Sequence, residues 1–317
     1  MRAAQKRFVA YIAIVFLAAT AALVWQHRAA AGSRDLQDII QTIDRVPLVI
    51  STPGKYQFAT DLTCDQPGAA IEIACDNVSI DFAGHELRST LAKPETSETK
   101  GVAAHNRKKI RIHSGRITGF TWGVALDGDA FDRSAALSHG WHIVRGMTIN
   151  DCSFRGVRTS GINCLIVENQ IARTGGCTLW PNAFAFGIEA VGPEARVLDN
   201  EVIDTAASGS GEAVAISVDS VDGRSLVFRN TVCNRINQPN RDIGIWAGTN
   251  VAATISANRI EGFTWGVAAS STTVTQLLDN TFSACDIAEF TAKIATEVPG
   301  RVITAGRVTS WPDADAP

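Results

Sequence analysis

The chain has 317 residues, with 29 Lys and Arg against 32 Asp and Glu and a formal charge of −3. That balance, with the basic residues scattered rather than clustered, excludes nucleic acid as a partner. Abundant Gly (26), only two Met, and many Val, Ile, Thr and Asn point to strands joined by tight turns rather than to a helical bundle.

Arg2, Lys6 and Arg7 precede an uncharged apolar run over residues 8–25, and Ala29-Ala30-Ala31 follows as an A-x-A-like cleavage site. Residues 1–31 are therefore expected to be a signal peptide or an N-terminal membrane anchor, and either puts the remainder outside the cytoplasm. In SRDLQDIIQTIDRV (33–46), Leu36, Ile39, Ile40 and Ile43 share a helical face, so 32–47 is expected to be a linker and capping helix. Export permits disulfides among the seven cysteines, with Cys64–Cys75 the best-placed pair, and buried thiols as the alternative.

From residue 48 one phrase recurs: an apolar-x-apolar strand, two residues, Gly or Asn, then another apolar pair. It reads SIDFAGHEL, IRIHSGRI, HIVRGMTI, LIVENQI, RVLDNEV, LVFRNTV, TISANRI and QLLDNTF, around Gly84, Gly115, Gly146, Asn169, Asn200, Asn230, Asn258 and Asn280. The spacing runs from 22 residues (258 to 280) to 31 (84 to 115). Each phrase is matched by a short G-[IV]-x-apolar strand, among them GVALD, GVRTS, GIEAV and GIWAG, and the heptad GFTWGVA feeds two of these strands, at 119–125 and 262–268. Units this short cannot bury an apolar face alone, so they must stack as coils. Corner Gly and Asn tolerate positive φ, and stacked Asn amides can hydrogen-bond along the axis. A sandwich or propeller does not fit so short a coil period.

The run STPGKYQFATDLTC, with GAAIEIACDNVSIDFAGHELRS and GVAAHNRKKIRIHSGRITGFTWGVAL, resembles the opening of right-handed parallel β-helix repeat proteins, the superfamily that includes pectate-lyase-like enzymes. The resemblance covers roughly 48–290 and implies an all-β, right-handed single-stranded parallel β-helix of about eight to ten coils, expected to span 48–305, while the residues 306–317 themselves read as an acidic, Pro-containing tail. It implies much less about activity, because that fold hosts lyases, hydrolases, esterases and epimerases.

In the G-[IV]-x strands the third residue should point outward, giving Glu72, Ala103, Ala125, Arg158, Glu189, Ala215, Trp246 and Ala268 down the stack. Two residues on come Ala74, His105, Asp127, Ser160, Val191, Ser217, Gly248 and Ser270. His105, Asp127, Arg158 and Glu189 then line one face, with Trp246 beyond. Arg pairs with acidic sugars, carboxylates act as acid, base or metal ligand, and Trp stacks on a sugar ring. The expected roles are Arg158 as stabiliser, His105 or Glu189 as base, Asp127 as partner or ligand, and Trp246, Trp180 and Arg241 as substrate contacts. An inert salt-bridge ladder Asp127–Arg158–Glu189 is the alternative.

Asp127, Asp129 and Asp132 in the 127–142 loop are a candidate calcium set, without the Gly and terminal Glu of a calcium-binding hand. HGWH (139–142) supplies only two His and reads as a surface loop. No G-x-S-x-G elbow, P-loop or dinucleotide fingerprint occurs, and the signature motifs of alginate epimerases, polygalacturonases and pectate lyases are absent. The expectation is an extracytoplasmic protein that binds an acidic polysaccharide or cell-envelope glycan, or modifies it by β-elimination or C5 epimerisation. A non-catalytic adhesive or structural role and glycoside hydrolysis are the alternatives. A dimer or trimer through the coil ends is compatible with either.

Overall fold

The computed structural model describes residues 39–91, 96–129, 132–220, 223–236, 242–248, 251–270 and 274–291. The 1–31 export segment and the 306–317 tail therefore lie outside the described residues. No helix among the described residues is long and apolar enough to cross a membrane. Thr42–Pro317 forms one compact unit and Met1–Gln41 another.

Among the described residues, each coil gives one strand to a ten-stranded sheet, made of Leu48–Ile50, Gly68–Ile73, Thr99–His105, Trp122–Asp127, Arg155–Ser160, Ala185–Val191, Ala213–Asp219, Asp242–Ala247, Trp265–Ala269 and Ile287–Thr291. The recurrent Gly/Asn phrases supply a second, seventeen-stranded sheet. All neighbouring strands of the ten-stranded sheet pair in parallel, and each joins a strand one coil away in the chain. The architecture is a right-handed parallel β-helix, the hand that right-twisted strands impose on parallel crossovers.

Three apolar rows fill the interior. Ile71, Val102, Val124, Val157, Ile188, Ile216, Ile245 and Val267 stack in register along the ten-stranded sheet, all at 0 % exposure. Opposite them run Ile80, Ile112, Val144, Ile166, Val197, Val227 and Ile255, and beside these Leu87, Ile117, Ile149, Ile171, Val202, Val232 and Ile260. At about 1.5–3 kcal/mol per buried aliphatic side chain, these rows are the main reason that coils too small to fold alone are stable together.

The heptad GFTWGVA now has a residue-by-residue meaning. Gly119 and Gly262 turn the chain with φ of 80° and 78°. Phe120 and Phe263 plug the core at 1 % and 2 % exposure. Thr121 and Thr264 tie back to the preceding coil, Thr121 N–H donating to Thr99 Oγ1 (2.9 Å) and Thr264 N–H to Asp242 Oδ1 (2.8 Å). Trp122 and Trp265 point out. Gly123 and Gly266 allow the next coil to approach: a Cβ on Gly123 would lie 2.5 Å from the Gly156 carbonyl oxygen.

Corner chemistry departs from the sequence expectation in one respect. Gly84 and Gly146 do take positive φ, but at the Asn corners the preceding residue does so instead: Glu168, Asp199, Arg229, Ala257 and Asp279. Each Asn side chain is thereby turned inward into a ladder. Asn200 Oδ1 accepts from both the main-chain N–H (3.0 Å) and Nδ2 (2.9 Å) of Asn169, while Asn200 Nδ2 donates to Ile166 O (3.0 Å) and to Asn230 Oδ1 (3.0 Å). The same pattern continues through Asn230 and Asn258 to Asn280.

The structure bears on three further expectations. Residues 33–38 of the expected capping helix lie outside the described residues, and Ile40–Ile43 is strand; Ile39 and Ile40 are exposed while Ile43 is buried. The Ile43 carbonyl accepts the Ala59 N–H (3.0 Å), a partner that an internal helical bond would displace. No disulfide joins any of the seven cysteines: Cys64 Sγ donates to Gln66 O and Cys75 Sγ to Ile50 O. HGWH reaches the surface only through Trp141, 37 % exposed, while His139 and His142 are both fully buried. His139 Nδ1 donates to Ala135 O (2.8 Å), Nε2 accepts from Ser160 Oγ (3.2 Å), and His142 Nδ1 accepts the Ile110 N–H. Burial pushes the His142 pKa down to about 3 and lowers that of His139.

Candidate functional site

Three rows of side chains face outward from the ten-stranded sheet, and strand register defines them. The first is Lys100, Trp122, Arg155, Phe186, Val214, Ile243 and Trp265. The second runs Glu72, Ala103, Ala125, Arg158, Glu189, Ser217, Trp246 and Ala268. In the third, His105 pairs with Asp127, and Ser160 with Val191 and Asp219.

Where strand register covers them, the expected outward rows are correct except in the Ala213–Asp219 strand, where Ser217 and Asp219 stand in place of Ala215 and Ser217. That strand lacks the usual glycine. Ala215 fills the close-approach position, opposite Gly187, and is buried in the core. The first row was missed altogether, although it has a simple signal: it is the residue immediately before each strand glycine, or before its substitute Ala215.

At the centre of the face, the sequence-expected carboxylates and arginine meet as an ion-pair network. Arg158 Nε donates to Asp127 Oδ1 (3.1 Å) and Arg158 Nη1 to Glu189 Oε2 (2.8 Å). The same Glu189 oxygen takes a donor from Arg155, which sequence reasoning had not placed in the site. Side-chain exposure is 11 % for Arg155, 12 % for Glu189 and 14 % for Arg158, against 39 % for Asp127. Burial alone would raise the Glu189 pKa, but the two guanidiniums outweigh it and hold the carboxyl below its ordinary range. Burial pulls Arg158 down, yet its carboxylate partners leave it raised, whereas Arg155 is lowered by its deeper desolvation.

Arg155 is boxed by aromatic rings. Its guanidinium carbon lies 3.7 Å from the Phe154 ring centroid, 4.6 Å from Phe186 and 5.0 Å from Trp122, and Nη1 donates to Phe184 O (3.2 Å). Trp180 packs on Phe154 with centroids 4.8 Å apart, so it belongs to this box. Along the sheet, Phe184, Phe186, Trp246 and Trp265 are half-buried around Val214, Ile243 and Ala268. These outward positions thus form an apolar cluster beside the ion pairs, with buried aliphatic side chains at its centre and half-buried aromatic rings around them.

The remaining candidates separate from this group. His105 is exposed beside Asp127, with Nε2 accepting from Asn106 Nδ2 (3.1 Å). Arg241 lies outside the described residues. The calcium set is not assembled: Asp132 caps the short helix Arg133–Ser138 through Ala135 N–H (2.9 Å) and Ser134 Oγ (2.6 Å), Asp127 is engaged by Arg158, and Asp129 is exposed. Among the described residues no group of three His, Cys, Asp or Glu is placed to hold a metal ion.

No protein-family model matches the chain, and no curated protein matches it. Among solved structures it is similar to PfbA, a surface adhesin of Streptococcus pneumoniae, at 12 % identity over 80 % of this chain and 76 % of that one, with a TM-score of 0.41. It is also similar to the Dettilon tailspike protein, at 10 % identity over 76 % of this chain and 60 % of that one, with a TM-score of 0.29. Likeness of that degree carries no argument about activity. The chain's own ladder of parallel coils makes it a right-handed parallel β-helix protein.

Proposed function

We propose that the protein is a glycan-binding β-helix, acting outside the cytoplasm, whose ligand lies along the outer face of the ten-stranded sheet. The observation that carries this reading is the aromatic cluster on that face: half-buried Phe186 and Trp265 in the first outward row and half-buried Trp246 in the second. Sugar rings present apolar C–H faces that stack on such side chains, and repeated coils offer repeated platforms to a repeating polymer.

Support for turnover is narrower. Glycoside hydrolysis by Asp127 and Glu189 needs one carboxyl kept protonated, and the lowered pKa of Glu189 removes it from that role. The same shift makes Glu189 a weak base. A second reading, β-elimination or C5 epimerisation of a uronate, rests on His105 beside Asp127, with Arg158 within reach of the same carboxylate to stabilise an enolate-like intermediate.

The test is retention of the purified full chain on a glycan array, followed by intrinsic tryptophan fluorescence titration with the retained sugars. Trp246→Ala should weaken binding about tenfold, the loss of one stacking platform worth about 1–1.5 kcal/mol, measured at a temperature where circular dichroism shows the variant folded, because Trp246 also packs on Val214, Ile243 and Ala268. An empty array, or unchanged affinity in Trp246→Ala, would remove this reading. Incubation with uronate polymers, followed at about 235 nm, should stay flat for a pure binder; a rise abolished in His105→Ala would establish the second reading.

A further inference from the structure

We propose that the face selects uncharged glycans and that its two arginines are internal struts rather than anion receptors, an inference that rests on the glycan-binding reading. Each Lys and Arg in the three outward rows already has a carboxylate. Arg155 and Arg158 share Glu189, and Arg158 also holds Asp127, so two positive charges meet two negative ones. Lys100 Nζ is paired with Glu98 Oε1 at 3.2 Å. The further charged side chains in the rows, Glu72 and Asp219, are acidic.

An acidic polymer laid on these rows would therefore find no uncompensated Lys or Arg among their described residues. To be bound through Arg158 it would have to displace Asp127 or Glu189, leaving a desolvated carboxylate beside its own. Arg155 is still less accessible, enclosed by Trp122, Phe154 and Phe186. What the pairs do provide is rigidity. By clamping Arg155 between rings, Glu189 fixes the orientation of Phe186 against buried Phe154, so that platform is pre-formed before the sugar arrives. An uncharged sugar gains the stacking and disturbs none of the ion pairs.

This substrate class differs from the acidic polysaccharide expected from Arg158 in the sequence. The arginine is where it was expected, but its charge is spent within the protein.

A glycan array carrying neutral, uronate and sulfated oligosaccharides distinguishes failure of this selectivity from failure of the glycan-binding reading. It is washed at about 20 mM and about 300 mM NaCl, a span over which screening of exposed charges changes severalfold. The expected result is that neutral sugars are retained, with affinities in solution changing by less than about twofold between the two salts. Retention of uronate or sulfated sugars, with affinity falling about tenfold or more at the higher salt, would overturn selectivity for uncharged glycans and leave the glycan-binding face standing. An array that retains nothing overturns the glycan-binding reading and this inference with it.

Discussion

Replacing Glu189 with Gln removes one negative charge from a network in which its Oε2 takes donors from both Arg155 and Arg158. Charge-assisted hydrogen bonds contribute about 1.5–3 kcal/mol each and neutral ones about 0.5–1.5, so two bonds changed in kind should cost about 2–3 kcal/mol. The substituted position is largely buried, with the glutamate side chain 12 % exposed, so solvent screening does not erase that figure. Urea unfolding at pH 7, read as a shift of midpoint at constant slope, measures it. Acid supplies an independent check. Because the folded-state pKa of Glu189 lies below the ordinary glutamate value of 4.5, ionisation of this group favours folding. Its contribution is complete above about pH 4.5 and is lost as pH falls through the lowered folded value. The wild-type protein should thus lose stability more steeply than Glu189→Gln below that pH, and the two should converge. A cost under about 1 kcal/mol, or parallel acid profiles, would refute the claim that this pair of ion pairs braces the face.

Two other substitutions test the scaffold itself. Asn200→Ala leaves the Asn169 main-chain N–H, its Nδ2 and the Ile166 carbonyl without their partner inside the core, and should cost about 3–4 kcal/mol in the same unfolding experiment; a loss below about 1 kcal/mol would show the ladder to be incidental. Gly123→Ala places a Cβ 2.5 Å from the Gly156 oxygen and 2.6 Å from Ile149 Cγ2, and should cost at least about 2–3 kcal/mol. Gly146→Ala meets nothing within 4 Å and should cost only about 1–2 kcal/mol for its φ of 59°. Equal melting temperatures for the two glycine variants would contradict the close approach between coils.

The fold was legible because it is written in local, repeated terms. A stretch such as LIVENQI carries its own strand alternation and its own corner, and eight such stretches share one register only if the coils stack. The placement of Asp127, Arg158 and Glu189 on one face followed from counting outward from the strand glycines, since side chains alternate with a period of two. Counting failed where the glycine was replaced, at Ala215, because nothing in AVAIS marks which alanine occupies the close-approach position. It also skipped the residue before each glycine, and with it Trp122, Arg155 and Phe186.

Sequence by itself determined the β-helix, the stacked Asn corners and the shared face of the charged residues, because each depends on neighbours one coil away at a fixed offset. Only the tertiary structure decided what those charges do. Which oxygen a guanidinium reaches, and which rings enclose it, depend on side-chain directions across three coils and on loops that fold back over the sheet. Electrostatic compensation is a property of distance in space, and spacing along the chain carries no record of it.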